Sequence, residues 1–283
     1  MMKLQKENFP LKVKDHLVTG EEFTLVLDPE KEMLLTKPQP KTNILSKYYE
    51  SDDYISHTDN KKGIVSFLYQ TVKKRSLKNK LNLITSLKKD AKSVLDIGAG
   101  TGDFLNFVKS DTRSVFGIEP NQKARELAHQ KRIYLEENLN DIKGKSFDVI
   151  TMWHVLEHIA NLEETIKEVE ALLNPNGILI IAVPNFNSFD AAYYKNYWAA
   201  FDVPRHLWHF SRNTMKNLFS DKLILQETIP MIFDSFYVSL LSEKNKTGKQ
   251  NLIKAFFIGL LSNISAFKSE EYSSLIYCYK KLK

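Results

Sequence analysis

Three groups of residues in this chain have the types and spacing that chemistry requires. The first is Asp96-Ile97-Gly98-Ala99-Gly100-Thr101-Gly102-Asp103, an acid followed by alternating glycines. Glycines in a tight turn remove the Cβ atoms that would keep a ligand off the backbone. The first N–H groups of a helix starting near Asp103 would point back at that turn. The second is Glu119, about 20 residues after the glycines, the offset at which an acid meets a ribose. A carboxylate there can accept from both hydroxyls at once. The third is a set of polar groups: His154, Glu157 and His158, and further on His206 and His209, which can take a proton near neutral pH, with Arg205 placed to pair with Asp202 or with an anionic substrate. His154, Glu157 and His158 follow i, i+3, i+4 spacing, which on a helix puts all three on one face. So arranged they could hold a divalent metal or satisfy backbone and pocket hydrogen bonds. The second reading is preferred, and no metal is assigned.

These groups need a frame, and the intervening sequence supplies one. Ser93–Ile97 and Ser114–Ile118 are short apolar runs that each end at an acid, with helices at Asp103–Val108 and Gln122–Gln130 after them. Ile133–Leu135 is a short strand candidate before the polar stretch Glu136–Asp141. Phe147–Met152 reads as a further strand, with a helix turning in at Trp153–Ile159. A helix from Leu162 to Leu173 stops at Asn174-Pro175-Asn176-Gly177. Gly177–Asn185 is then apolar without alternation, as strands buried on both faces are. Strands alternating with helices predict an α/β fold, a doubly wound and mostly parallel sheet.

The glycine turn selects among ligands. No Lys-Ser or Lys-Thr pair follows the last glycine, which excludes a P-loop, and Asp103 stands where a dinucleotide fingerprint needs its third glycine. The compressed G-x-G-x-G after a strand-ending acid resembles motif I of the class I S-adenosylmethionine-dependent methyltransferases. The region from Trp153 to Ile159 is similar to that of the ubiquinone-biosynthesis-type small-molecule O-methyltransferases. Pro204-Arg205-His206 followed by Phe210-Ser211 resembles a substrate-side segment of a bacterial branch. The resemblance implies a Rossmann-like sheet with an antiparallel last strand and S-adenosylmethionine as cofactor, leaving S-adenosylhomocysteine. It implies cofactor contacts from Asp96, Gly98, Ala99, Gly100, Thr101, Gly102, Glu119, Pro120, Asn138, Leu139, Trp153 and His154. A carboxylate suits a cofactor carrying an ammonium and a sulfonium, whereas it would repel a pyrophosphate. The implied reaction moves a methyl group to a small-molecule acceptor, a hydroxyl oxygen, with His158 or His206 taking the proton. Tyr49, Tyr54 and His57 match a lid, and Arg205 and His209 lie on the substrate side. Some relatives place acid–acid–His where this chain has His154, Glu157 and His158. The imidazole in first place disfavours Mg²⁺, which prefers oxygen ligands.

Two rival readings stay open. One is a methyltransferase acting on a macromolecule, although Trp153-His154-Val155-Leu156 is unlike the Asn/Asp-Pro-Pro-aromatic motif of base amino-methylating enzymes. The other is a non-catalytic cofactor-binding module in a complex or at a membrane surface.

Composition bounds the rest. The chain has 283 residues, 43% hydrophobic, with a net charge of +6 and a single cysteine, Cys278. One cysteine excludes an internal disulfide and any all-cysteine zinc site. No apolar run follows Met1 and no uninterrupted apolar stretch is long enough to span a bilayer, so a reducing cytoplasm is the expectation. Residues 1–42 read as a small β element, with strand candidates at Val18–Leu27 and Met33–Thr36. In outline it looks like a ribbon lacking its zinc-binding cysteines, and it could cap the site, mediate dimerisation or hold a partner. Residues 43–92 read as a lid and basic amphipathic helices, whose lysines form a solvated face with no nucleic-acid platform. Residues 93–283 are the core, with Ile224–Phe236 as a strand, a helical insertion near 251–267 and Ser274–Tyr279 as last strand. The apolar insertion reads as buried. It would suit covering the substrate mouth, docking a second subunit in a homodimer, or peripheral contact with a membrane.

Overall fold

The computed structural model describes residues 4, 6–41, 44, 46–49 and 64–283. The lid candidates Tyr54 and His57 lie outside the described residues. An antiparallel sheet comes first: β1 (Leu11–Lys14), β2 (Glu22–Asp28) and β3 (Met33–Lys37). The β2 strand begins later than its apolar pattern suggests. The Asp15 carboxylate accepts from the Leu17, Val18 and Thr19 N–H groups and winds that stretch into a turn.

The core follows in alternation. It runs α1 (Ile64–Leu87), β4 (Ser93–Ile97), α2 (Asp103–Val108), β5 (Ser114–Ile118), α3 (Gln122–Gln130), β6 (Phe147–Trp153), α4 (Leu162–Leu172), β7 (Leu173–Pro184) and α5 (Phe189–Tyr194). Then come the two-residue β8 (Trp208–His209), α6 (Arg212–Asn217), β9 (Leu223–Pro230), α7 (Asp234–Thr247), α8 (Leu252–Ser269) and β10 (Ser274–Lys281). The large sheet has the order β5-β4-β6-β7-β10-β9, with the first four strands parallel and β10 antiparallel to both neighbours. This is the doubly wound, mostly parallel sheet expected from the sequence.

Both faces of that sheet are buried, which explains the unbroken apolar runs. Leu95, Ile150, Leu179, Ile181 and Tyr279 pack into one core; Val94, Val149, Ile178, Ile180 and Cys278 pack into another on the opposite face. The small sheet takes its fourth strand from the core's own chain. In it β8 pairs with β3, with Leu34 opposite His209 and Leu35 opposite Trp208.

Several local expectations fail for identifiable reasons. Ile133–Leu135 is not a strand; a single parallel bridge joins Ile118 to Glu136. The Asn174–Gly177 stop is absorbed into β7 as a bulge, with Asn176 at φ 59° and the ladder slipping between Phe147 and Val149. The strand read over Ile224–Phe236 ends at Pro230, and Asp234 starts α7. The insertion, α8, is not buried: Ile253 is 73% exposed and Phe267 83%. It is also long and apolar enough to cross a membrane by length and composition. The sequence reading missed this because scattered Ser, Asn and Lys interrupt its apolar run.

Candidate active site

The chain steps from β4 outward to β5 on one side and to β6 on the other, so a crevice opens at their carboxyl ends. The glycine turn lies there. Its three glycines do different work. A Cβ on Gly98 would stand 2.3 Å from Val155 Cγ2, and one on Gly102 3.0 Å from Ala128 Cβ. Those positions are small to let protein pack against the turn. A Cβ on Gly100, at φ 53°, would meet nothing within 4 Å among the described residues. Of the three, Gly100 alone faces open space among the described residues, which corrects the reading that all three clear a path for ligand.

Glu119 is bound to this same turn. Its Oε2 accepts from the Gly100 N–H at 2.8 Å and its Oε1 from the Asn121 N–H at 2.9 Å. The carboxylate thus sits beside the open face of Gly100. Thr101 is latched from the other side, its carbonyl and hydroxyl taking hydrogen bonds from Lys131 Nζ at 2.9 and 3.1 Å. Pro120 follows Glu119 directly, and Ala99 is buried within the turn. Asn138 caps the turn Leu139–Ile142, its side chain accepting from the Asn140 N–H at 3.0 Å.

Asp96 is buried, and its Oδ1 accepts from the Thr151 hydroxyl at 2.6 Å. Burial pushes its carboxyl up to about 7, against the Thr151 hydrogen bond and the Lys80 charge. Lys80 went unnoticed in the sequence, where it looks like one lysine of a solvated face. Its ammonium lies 4.1 Å from the Trp153 ring centroid and 5.5 Å from that of Phe104. Burial brings it down to about 8, against the pull of Asp96 and Asp234. A site that accepts a cation between two carboxylates and an indole face therefore exists at the end of β4 and β6.

The histidine cluster is arranged differently from the helical face expected. His154 has φ 56°, which breaks the helix, and only Leu156–His158 forms a short 3-10 turn. His154 reaches Glu157 Oε1 with Nδ1 at 3.4 Å and Asp234 Oδ2 with Nε2 at 3.3 Å. Burial would lower its pKa, but these two carboxylates raise it. The donors that gather within 4.8 Å are instead Glu157, His158 and His206. His206 arrives from the long segment after β7, a meeting that local spacing could not reveal. Neither Glu157 oxygen has a hydrogen-bond partner among the described residues. Burial would raise this carboxyl, yet the surrounding imidazoles hold it down at about 2.

His158 Nδ1 lies 3.1 Å from the Arg205 carbonyl and 3.0 Å from Tyr49 Oη. A carbonyl only accepts, so Nδ1 carries the proton and Nε2 is the basic nitrogen. Burial and the neighbouring His206 lower His158 to about 4. His206 likewise donates from Nδ1 to the Ala200 carbonyl at 2.9 Å. Tyr49 is thus placed against His158.

Two expected substrate contacts are structural. Arg205 is 1% exposed, and its donors are committed to Asp202 (3.0 and 2.7 Å), Asp15 (2.9 Å) and the Tyr48 carbonyl (2.8 Å). It clamps the first sheet and the Tyr48-Tyr49 turn onto the core. His209 is buried on β8. Thr36 Oγ1 donates to the His206 carbonyl at 2.7 Å, so His209 Nε2 must donate to Thr36 Oγ1 at 3.0 Å. Burial and His206 push His209 well below its ordinary value, so it stays neutral.

Comparison with known proteins agrees with this geometry. The profile of a methyltransferase domain family matches residues 69–222, just over half the chain. The chain belongs to that family. Within this methyltransferase domain lie the glycine turn, Glu119 and the whole histidine cluster. A ubiquinone biosynthesis O-methyltransferase of Bradyrhizobium diazoefficiens is 24% identical over 158 residues, 50% of this chain and 62% of that protein. A probable S-adenosylmethionine-dependent methyltransferase of Saccharomyces cerevisiae is 26% identical over 203 residues, 65% of this chain and 64% of its own. The chain thus spans less than two thirds of the length of either relative. Magnesium protoporphyrin IX methyltransferase of Synechocystis PCC 6803, solved with bound S-adenosylhomocysteine, shares the fold. Its TM-score is 0.56 at 13% identity, with 85% of this chain and 100% of that one covered.

Proposed function

We propose that this methyltransferase domain binds S-adenosylmethionine at the carboxyl ends of β4, β5 and β6 and methylates a hydroxyl oxygen of a small molecule. The observation that carries the reading is the open space at Gly100 with the Glu119 carboxylate bound at its edge. The residues fit the cofactor. Glu119 offers acceptors to ribose hydroxyls, and Asp96 with the Trp153 face offers a place for positive charge, which Lys80 holds in this structure. The cofactor supplies an electrophilic methyl group on a sulfonium, so positioning does most of the work.

The chain's residues then have the following parts. Burial keeps His158 neutral at pH 7, so its Nε2 can accept a proton from the acceptor hydroxyl. The adjacent Glu157 carboxylate, buried and short of partners, stabilises the imidazolium so formed. Arg205 and His206 hold the geometry through the Arg205 and Ala200 carbonyls. Tyr49 and the Arg205 carbonyl engage His158 Nδ1 and leave Nε2 as the nitrogen for the acceptor.

The test is titration calorimetry with S-adenosylmethionine, S-adenosylhomocysteine and NAD, followed by methyl transfer to a panel of phenols. Binding of the first two alone, with a methoxy product, is expected. Binding of NAD, or of nothing, would overturn the assignment.

A further inference from the structure

We propose that the α7–α8 hairpin is an in-plane docking surface for an anionic lipid bilayer. The inference rests on a different part of the molecule from the active site. Helix α8 is packed inside out. The side turned to the protein carries Ala255, Ile258, Gly259, Ser262 and Ala266. The outward side carries Ile253, Phe256, Phe257, Leu260, Ile264 and Phe267, every one exposed. A Cβ on Gly259 would stand 2.7 Å from Phe236 Cδ1, so small residues allow α7 a close approach. A helix facing water does the reverse, burying its large apolar groups and exposing its small and polar ones. Phe233 and Tyr237, at the start of α7, add to the exposed apolar surface.

Lysines flank this face at both ends. Lys249 precedes the amino end of α8, and Lys268 lies in its last turn, four residues after Ile264 and so on the same side. The nearby acids are committed elsewhere. Glu243 is buried beneath Lys254 at 3.0 Å, Glu270 pairs with Arg212 at 2.6 Å, and Asp234 pairs with His154. A second copy of the chain is thereby disfavoured as occupant. If two α8 helices paired in parallel, each lysine would meet its own copy; if antiparallel, Lys249 would meet Lys268. In either case cation faces cation across a dry apolar contact. Anionic headgroups satisfy both features, apolar residues entering the acyl boundary while lysines meet phosphates. The chain's net charge of +6 acts in the same direction.

The helix lies along the surface and does not cross it. Its carboxyl end leads within five residues into β10, a strand hydrogen-bonded between β7 and β9. Its amino end returns through α7 to β9, so both ends are tied to one side. Asp234, the first residue of α7, touches His154, which brings the bilayer-facing hairpin to the edge of the active site. An acceptor that partitions into lipid would have a short path to it.

The test is co-sedimentation of the full chain with phosphatidylcholine vesicles, with and without phosphatidylglycerol. Binding that needs phosphatidylglycerol and fades with added salt is expected. Phe257→Ser with Ile264→Ser should abolish it. Lys249→Glu with Lys268→Glu leaves the apolar face intact and should weaken it about tenfold or more. Because this second pair alters only exposed charge, it keeps the test valid if the serine pair folds poorly. Absence of sedimentation with either vesicle would overturn the proposal. So would equal binding by the charge-reversed pair, or a solution dimer that Phe257→Ser makes monomeric.

Discussion

Gly98→Ala and Gly100→Ala add the same methyl group two residues apart and should fail in different ways. At Gly98, φ is 73° and the new Cβ lies 2.3 Å from Val155 Cγ2, 3.1 Å from Cγ1 and 3.3 Å from Cβ. Left-handed strain costs roughly 1–2 kcal/mol, and overpacking against a stiff β-branched residue roughly 1–3 kcal/mol more. The sum predicts a melting temperature lower by on the order of 10 °C. At Gly100, φ is 53° and nothing stands within 4 Å among the described residues, so only the strain applies. Its melting temperature should fall much less. If ligand occupies that space, however, the methyl group overpacks the complex by roughly 1–3 kcal/mol, a roughly 5- to 150-fold loss of affinity. Differential scanning fluorimetry and titration with S-adenosylhomocysteine give the two readouts. The double variant Gly98→Ala/Val155→Ala should recover part of the lost stability, because it removes the clashing Val155 methyls. Wild-type affinity in Gly100→Ala would refute the placement of cofactor over that glycine. A Gly98→Ala protein as stable as wild type would refute the packing argument.

Glu119→Ala should weaken S-adenosylhomocysteine binding by about 1–3 kcal/mol through lost hydrogen bonds to a charged acceptor, measured by calorimetry; a neutral result would make this acid only a brace for the Gly100 N–H. Arg205→Met should cost about 3–5 kcal/mol in a urea titration, since it removes the cation that Asp15 and Asp202 share and leaves the buried Asp15 charge held only by its turn N–H groups and the Thr19 hydroxyl; little change in stability would return Arg205 to the list of substrate contacts. For pH dependence, His158 stays neutral down to about 4 in the fold, against 6.5 for an ordinary histidine. In that window the unfolded chain binds more protons, so its contribution is complete above 6.5 and is lost as pH falls toward 4. His158→Asn should flatten the fall in melting temperature over that window, and an unchanged slope would count against a buried neutral imidazole.

Much of the cofactor side was legible because it is local. Asp96, the glycine turn and Glu119 are each fixed by a strand end, and parallel strands deliver their ends to one edge. Residues far apart in the chain therefore meet by topology alone. Lys80 escaped notice because its spacing matches its solvated neighbours; only the placement of α1 against Trp153 separates it from them. The histidines were recognised as types but grouped wrongly. The i, i+3, i+4 pattern presumes a helix, and His154 at φ 56° breaks it; His154 keeps its contact with Glu157, but His206 and not His154 gathers with Glu157 and His158.

The sequence by itself determined the sheet, its mostly parallel order and the location of the glycine turn, since apolar periodicity and turn chemistry act over a few residues. Tertiary structure alone decided which polar groups are spent and which are available. Arg205 and His209 look reactive in a list of residues, yet Asp15, Thr36 and Tyr48, more than 150 residues earlier, take up their hydrogen bonds. It also decided that α8 shows its large apolar side to the outside. Residue type sets how strongly a side chain prefers burial, but the neighbour that would bury it comes from elsewhere in the chain.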